Sequence, residues 1–435
     1  MSHFVTVGLI GIVFLIALFF SRIAVAYALA IVGVAGYAVL TSVESALTLL
    51  SRDIYSVFSS YSLALVPLFI FMGFIAYYAG VSRKLYDMAY KLSSGMRGGL
   101  GIATVVASTA FGAVCGSTTA TAATVGSIAL PEMRRYRYGS RLAAGAIASA
   151  AGLGILMPPS VVLIIYGILT QVSIGKLFLA GIVPALLITL LFTAAVVAYA
   201  YRSPEQAPVA ESFGLGERLR TLWDVWETLL VFVLVMGGMF AGIFTPTKAG
   251  AIGSALLLAI VLLQGRLTWR NFLNAINDTL SVSCMVIMLV AGATIFGHFM
   301  ALSRLTMELS NLVSGLDWPA WAVMGFICLI YLFAGCFIDA LALITLTIPI
   351  FYPIVIDLGY DPIWFGVLIV LITQMGTITP PVGVNAFIVK GLSADLGLED
   401  VFLGVLPFLA ALILGVGVII LFPSLVTFLP SFTGW

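Results

Sequence analysis

The sequence predicts an all-α integral membrane protein, built as an inverted repeat of about ten transmembrane helices and two re-entrant helical hairpins. Three observations predict it. Of the 435 residues, 62% are hydrophobic and only 9% are charged, whereas soluble domains carry about 25% charged residues. Two Pro-Pro pairs interrupt apolar segments in the two halves of the chain. The basic residues flank one long apolar segment in the first half and avoid its counterpart in the second.

Long apolar segments run from one end of the chain to the other. Residues 5–20, 24–40 and 402–422 are examples, and each approaches or meets the roughly 20 residues that a helix needs to cross a bilayer. The chain is therefore expected to cross the membrane many times. We expect no cleavable signal at the start, because Met1 to His3 contains no basic region.

Several functional classes find no support in the sequence. It contains no Walker motif, GxSxG elbow or HExxH pair, so we predict no enzyme. The net charge of +1 and the absence of a basic patch argue against a nucleic-acid partner. The four cysteines lie in apolar stretches and the two histidines are isolated, which does not match the spacing of metal ligands.

An internal repeat follows from residues that match at a fixed offset. The pairs Pro158-Pro159 and Pro380-Pro381 are 222 residues apart, and at the same offset Gly154 corresponds to Gly376. We therefore predict a first repeat over residues 1–201 and a second over 222–435. The polar residues 202–221 are the predicted cytoplasmic linker.

Charge predicts a hairpin in the first repeat. The apolar segment of about residues 98–130 is preceded and followed by basic clusters. Short cytoplasmic loops accumulate Lys and Arg, so both ends are expected in the cytoplasm, and the segment is long enough to enter the membrane and return. The clusters are Arg83, Lys84, Lys91 and Arg97 before it, and Arg134, Arg135, Arg137 and Arg141 after it.

The equivalent segment of the second repeat, about residues 318–350, is poor in flanking positive charge. Asp317 precedes it, and Asp357 and Asp361 follow it. We therefore expect this hairpin to enter from the opposite side of the membrane. Five crossings per repeat produce that inversion, an arrangement common in secondary transporters.

The Pro-Pro pairs predict two broken helices, over about residues 142–170 and 363–390. Consecutive prolines remove two amide donors and clash with the preceding turn. Unbonded backbone at membrane depth is tolerated only where protein or a cavity covers it, and the freed carbonyls are oxygen ligands that suit sodium. A simple kink is the alternative, but two such breaks at matching positions favour an ion or substrate site.

The tip of the first predicted hairpin is rich in hydroxyl groups. Ser117, Thr118, Thr119 and Thr121 follow Gly116, and the glycine suits a tight reversal. We predict oxygen ligands here. The alternative is that these side chains bond to their own helix backbone.

Three polar residues of the second repeat are further candidates. Asp339 aligns with Ser117 and lies in an apolar run, where an ionisable residue suggests function, although it could also cap a hairpin helix. Arg304 could attract a carboxylate or pair with Asp339. Asn385 is polar in an otherwise apolar half-helix and is expected to face the cavity. With Thr118, these three are the candidate substrate contacts.

The motifs GSTTATAATVGSIALPEM and TQMGTITPPVGVNAFIVKG resemble the large membrane subunit of tripartite ATP-independent periplasmic (TRAP) transporters, over nearly the whole chain. The resemblance implies an elevator-type member of the ion transporter superfamily, with scaffold and transport regions, in the bacterial inner (cytoplasmic) membrane. It implies two partners: a small four-helix membrane subunit, expected as a separate chain, and a periplasmic substrate-binding protein. It also implies import of organic acids of the sialic acid or C4-dicarboxylate class, coupled to at least two Na⁺ ions.

The resemblance also implies two sodium sites, each between a hairpin tip and a broken helix. Relatives in the superfamily often have Ser-Asn-Thr at the first tip, where this chain has Ser117-Thr118-Thr119, and Thr119 is expected to substitute. The implied ligands of the first site are Ser117, Thr119, Gly154, Met157 and Pro159. Those of the second are Asp339 or its neighbours Ile338 and Leu341, with Gly376, Thr379 and Pro381.

Other functions remain open at this point. An autonomous sodium-coupled dicarboxylate or citrate symporter of the same superfamily would need no binding protein, and transport by this chain alone would favour it. A channel would need a continuous polar pore, and intramembrane charges are scarce here. An intramembrane protease would need paired Asp or a Ser–His constellation, which the sequence lacks.

The inverted topology can be tested by labelling. A single cysteine placed in residues 134–141 is expected to react with an impermeant thiol reagent only from the cytoplasm, because basic loops stay inside. One placed near Asp357 is expected to react only from outside. Reaction of both from the same side would contradict the inverted repeat.

Overall fold

A computed structural model describes residues 3–21, 23–315 and 318–432, and all regular structure within these ranges is helical. Up to residue 202 the helices are α1 His3–Phe20, α2 Val25–Leu40, α3 Val43–Phe58, α4 Leu65–Tyr78, α5 Val81–Leu92, α6 Gly99–Cys115, α7 Thr118–Arg135, α8 Ser140–Ala151, α9 Val161–Thr170 and α10 Ile174–Arg202. Beyond it they are α11 Leu215–Arg220, α12 Trp226–Phe240, α13 Pro246–Leu263, α14 Trp269–Leu302, α15 Leu305–Gly315, α16 Ala320–Gly335, α17 Ala340–Asp357, α18 Pro362–Ile378, α19 Val384–Gly391, α20 Leu398–Leu421 and α21 Ser424–Ser431.

The apolar composition takes the form of long helices. Among the described residues, seven helical spans are long and apolar enough to cross a membrane, and seven further apolar helices are shorter. The longest is α14, with 34 residues. An all-helical, multi-pass membrane fold is therefore confirmed, while the count of about ten crossings stays a prediction.

The first group of helices contains α1 to α4 and α12 to α14, and glycines set how closely they pack. A Cβ on Gly33 of α2 would lie 2.9 Å from the backbone of Ile295 in α14. A Cβ on Gly253 of α13 would lie 2.9 Å from the sulfur of Met72 in α4. Each half of the chain thus packs one of these helices against a helix of the other half.

The second group contains two antiparallel helix pairs, α6–α7 and α16–α17, and two interrupted helices, α8–α9 and α18–α19, with α10 and α20 beside them. The backbones of α8 and α20 approach closely at Gly145 and Gly404, where a Cβ on either residue would overlap the backbone of the other helix. Small residues permit such approaches between membrane helices.

Polar contacts join two residues of the predicted cytoplasmic clusters, Lys84 and Arg141, to other parts of the chain. The Arg141 Nε atom lies 2.9 Å from Asp400 Oδ1. The buried Glu227 Oε1 atom accepts hydrogen bonds from Lys84 Nζ at 2.6 Å and Arg266 Nη1 at 2.7 Å. Glu227 and Asp400 thus contact the two clusters that the sequence places in the cytoplasm.

A separate contact joins two segments that the sequence assigns to the opposite side. Ser310 donates a hydrogen bond to Asp357 Oδ2 at 2.6 Å. Both residues flank the second hairpin.

The observed helix ends extend beyond some predicted ones. Helix α7 continues to Arg135 and α17 to Asp357, whereas apolar composition placed the hairpin ends near residues 130 and 350. The reason is that charged residues outside the apolar layer still hold helical hydrogen bonds. The linker also contains a 3₁₀ turn over Pro204–Gln206 and one short α-helix, α11. Asp317, a flank used to predict the second hairpin's orientation, lies outside the described residues.

Candidate functional site

The tip of the α6–α7 hairpin is a tight reversal made by one glycine and one serine. Gly116 has φ +65° and donates its N–H to Gly112 O at 2.8 Å, which ends α6. Only glycine adopts this left-handed conformation without steric cost. Ser117 then caps α7, because its hydroxyl accepts from the N–H of Ala120 at 3.4 Å.

The hydroxyl groups of this tip lie together as predicted from their spacing. Ser117 Oγ is 3.1 Å from Thr119 Oγ1, and Thr121 donates to the carbonyl of Ser117 at 2.7 Å. Thr121 therefore bonds to its own helix, which was the alternative interpretation. Thr118 is 2% exposed, so in this conformation it does not face open solvent.

The first interrupted helix meets this tip at its break. Helix α8 ends at Ala151, a 3₁₀ turn follows over Gly152–Ile155, and α9 begins at Val161. The Pro158-Pro159 peptide bond between them is cis. The interruption leaves backbone carbonyls outside the regular helix, as two prolines in sequence require.

Two glycines allow the hairpin tip and the break to touch. A Cβ on Gly154 would lie 3.0 Å from Ser117 O and 2.9 Å from Thr121 Oγ1. A Cβ on Gly116 would lie 2.8 Å from Pro159 O. Three implied ligands of the first sodium site, Ser117, Gly154 and Pro159, are thus brought together. Met157 is half-buried in the same interruption.

The α16–α17 hairpin has a different tip. Asp339 caps α17, accepting from the N–H of Leu341 at 3.1 Å. The capping interpretation of Asp339 is therefore confirmed, and a ligand role for its second carboxylate oxygen stays a prediction. Ile338 and Leu341 beside it are half-buried.

The second interrupted helix contacts this second tip. Helix α18 ends at Ile378 and α19 begins at Val384, with a cis Pro380-Pro381 bond between them. The N–H of Gly383 donates to Cys336 O at 2.9 Å. This hydrogen bond ties the break directly to the hairpin turn.

The implied ligands of the second site lie along this break. A Cβ on Gly376 would lie 2.7 Å from the Cα of Gly335, so α16 and α18 are in backbone contact. The hydroxyl of Thr379 donates to Met375 O at 2.6 Å, and Pro381 is exposed. Sodium binding by these residues stays a prediction.

Two candidate substrate contacts lie elsewhere than the sequence suggested. Arg304 is exposed, and its guanidinium carbon lies 6.0 Å from the centre of the Phe4 ring. Among the described residues it forms no ion pair with Asp339, so that pairing was wrong. Arg304 follows α14 at φ +54°, and its shown contact is with α1 through Phe4.

Asn385 was expected to face a cavity and instead is fully buried. Its Nδ2 atom lies 3.4 Å from Ala148 O and 3.4 Å from Thr377 Oγ1, so it joins α19 to α8 and α18. The spacing of apolar residues could not predict the burial of Asn385, because α19 has only eight residues and is covered on more than one side.

Gln374 is the polar residue that sequence reasoning missed. It is fully buried in α18, six residues before Pro380. Two features of the sequence could have identified it. Gln374 is an amide within an apolar run, and it corresponds to Gly152 at the offset of 222 residues that relates the two repeats.

This geometry can be compared with known proteins. The family model described as the tripartite ATP-independent periplasmic transporter, DctM component, matches residues 12–425. The chain belongs to this family. The resemblance inferred from the two motifs is therefore confirmed, and the protein is a multi-pass bacterial membrane protein of a transporter permease family.

Individual relatives agree over most of their length. A C4-dicarboxylate TRAP transporter large permease protein from Pseudomonas aeruginosa is 32% identical over 386 residues, which cover 88% of this chain and 90% of the relative. A sialic acid TRAP transporter large permease protein from Vibrio cholerae is 30% identical over 418 residues, 96% of each. The crystal structure of the YdaH transporter from Alcanivorax borkumensis has a TM-score of 0.62 at 16% identity, covering 88% of this chain and 90% of that one, a likeness of fold alone.

The contact between the first tip and its break predicts a specific sensitivity in this DctM-family chain. Gly154→Ala is expected to destabilise the protein by about 1–3 kcal/mol, the usual cost of overpacking, because the added methyl group meets Ser117 O and Thr121 Oγ1. The measurement is the thermal unfolding of the purified protein. Gly391→Ala is the control, since a Cβ there has no neighbour within 4 Å. Equal stability of the two variants would contradict the close contact.

Proposed function

We propose that this chain is the translocating subunit of a sodium-coupled secondary transporter in the bacterial inner membrane. In this proposal it imports organic acids of the C4-dicarboxylate or sialic acid class, delivered by a periplasmic binding protein, and works with a small four-helix membrane subunit. Family membership and the substrates named for its relatives support the organic-acid class.

The observation that carries sodium coupling is the pairing of each hairpin tip with a broken helix. At the first, Gly116 and Gly154 bring Ser117 O and Pro159 O into the same small region. At the second, the N–H of Gly383 in the break donates to Cys336 O at the hairpin turn. Clusters of carbonyl and hydroxyl oxygens suit a hard cation such as Na⁺ better than a soft metal. Because there are two such pairs of hairpin and break, we propose at least two sodium ions.

The proposed movement is an elevator. The hairpins and interrupted helices would form the moving unit, because each break is covered by a hairpin and the two elements cannot separate without exposing backbone groups. The group of α1 to α4 and α12 to α14 would be the static scaffold. Sodium would favour the substrate-binding state through its higher affinity for that state.

Sodium coupling is tested by removing single oxygens. Ser117→Ala and Asp339→Asn are each expected to raise the sodium concentration for half-maximal uptake about tenfold, which corresponds to ~1.4 kcal/mol of lost ligand interaction. Asn retains a capping oxygen for α17, so that this variant removes charge with little effect on the hairpin. Uptake is measured in proteoliposomes with both partner proteins. The control is Ser127→Ala, because Ser127 is exposed on α7, the helix that begins at the first tip. This variant should keep normal sodium dependence.

If both site variants kept the sodium dependence of the unchanged protein, these residues would not belong to sodium sites. Uptake that needs no binding protein would instead support an autonomous symporter.

The elevator is tested by joining its two parts. A Cβ on Gly297 of α14 would lie 3.8 Å from the Cβ of Pro349 in α17, the mean separation in disulfides. In a background without other cysteines, oxidised Gly297→Cys/Pro349→Cys is expected to lose transport and to regain it on reduction. The Gly297→Cys variant alone, treated with the same oxidant, has no second cysteine to join and should keep transport largely intact. Full transport by the oxidised pair would contradict the elevator and favour local gating by the hairpins.

A further inference from the structure

Unpartnered polar atoms are concentrated on the two interrupted helices. Nine buried side-chain nitrogen and oxygen atoms have no hydrogen-bond partner among the described residues, and five of them belong to four residues. These are Ser149 of α8, Thr373 and Gln374 of α18, and Asn385 of α19, each 0% exposed. Both atoms of the Gln374 amide are included. We call these four residues the buried amide cluster.

Gln374 is placed against its own counterpart in the predicted repeat. It is 222 residues from Gly152, the offset that relates the two Pro-Pro pairs, and a Cβ on Gly152 would lie 2.6 Å from the Gln374 Nε2 and Cδ atoms. A residue that packs on its repeat partner lies near the axis relating the repeats. The cluster is therefore central to both breaks.

Asn385 extends the cluster from this axis. Its Nδ2 atom reaches Ala148 O, at 3.4 Å. The N–H of Gly152 bonds to Ser149 O and Ala150 O, so it does not occupy Ala148 O. The Asn385 Oδ1 atom has no protein partner within the described chain. The amides of Gln374 and Asn385 thus both lie against the C-terminal end of α8, and both are incompletely bonded.

We propose that the buried amide cluster is a binding site for ordered water. Gln374 Nε2 requires an acceptor, while Gln374 Oε1 and Asn385 Oδ1 require donors. Water supplies both, whereas a bare cation would satisfy the oxygens and be repelled by the Nε2 hydrogens. An unsatisfied buried amide costs about 1–3 kcal/mol, and buried waters usually relieve this cost with about three hydrogen bonds.

The water would join the end of α8 to the segments before and after the second break. Both breaks would then keep a fixed relative position through one hydrated contact near the axis. This site contains none of the residues assigned to the two sodium sites, so it does not depend on sodium coupling.

The sign of a stability change tests the proposal. Gln374→Met has similar length and no polar atoms. In a hydrated site it leaves the water and Asn385 short of partners, so the melting temperature should fall by about 2 °C or more. Ser149→Ala should also lower the melting temperature, by a smaller amount. Ser283→Ala in α14 is the control, because its buried hydroxyl is also unpartnered but lies outside the cluster.

The measurement is thermal unfolding of the purified full chain at low and high NaCl. If the site is dry, Gln374→Met removes an unsatisfied amide, and a melting temperature equal to or above that of the control would overturn the proposal. Loss of sodium-dependent stabilisation in Gln374→Met would identify a cation in place of water and would also overturn it. Ordered density about 2.7–3.2 Å from Gln374 and Asn385 in a high-resolution structure would support it.

Discussion

The structure depends on one constraint: backbone groups in the hydrocarbon layer must be hydrogen-bonded or covered by protein. The two Pro-Pro pairs break this rule locally, because each removes two amide donors from a helix. Each break is covered by a hairpin that touches it, through Gly116 and Pro159 in the first half and through Gly383 and Cys336 in the second. The hairpins therefore have a structural role before any ion or substrate is considered.

Glycine makes this cover possible, because the contacts are between backbones. Gly154 lies against the first tip, and Gly376 lies against Gly335 at the second pair. A side chain at either place would separate the hairpin from the carbonyls that it covers. Carbonyl oxygens brought together in this way form a polar surface of fixed geometry, and the same packing that stabilises the fold creates the candidate ion sites.

Much of this could be predicted from sequence, because the decisive signals are local. Pro-Pro pairs break helices wherever they occur, and Gly116 followed by a hydroxyl residue predicts a capped reversal. Arg304 and Asn385 could not be placed, since their environments depend on how helices pack and on one turn with positive φ. Gln374 was overlooked because its shown neighbour, Gly152, is more than two hundred residues away in sequence.

The two breaks also differ in exposure, and this asymmetry bears on the proposed mechanism. Pro158 and Pro159 are buried, whereas Pro380 and Pro381 are exposed. Two equivalent repeats in a symmetric molecule would have equally exposed breaks, so the two halves differ in conformation at this point. In an inverted repeat, exchanging the conformations of the halves moves the exposed break to the other side of the membrane. Under the proposed elevator, the other arrangement would reuse the same kind of contact, because each half already contains a hairpin that touches its own break.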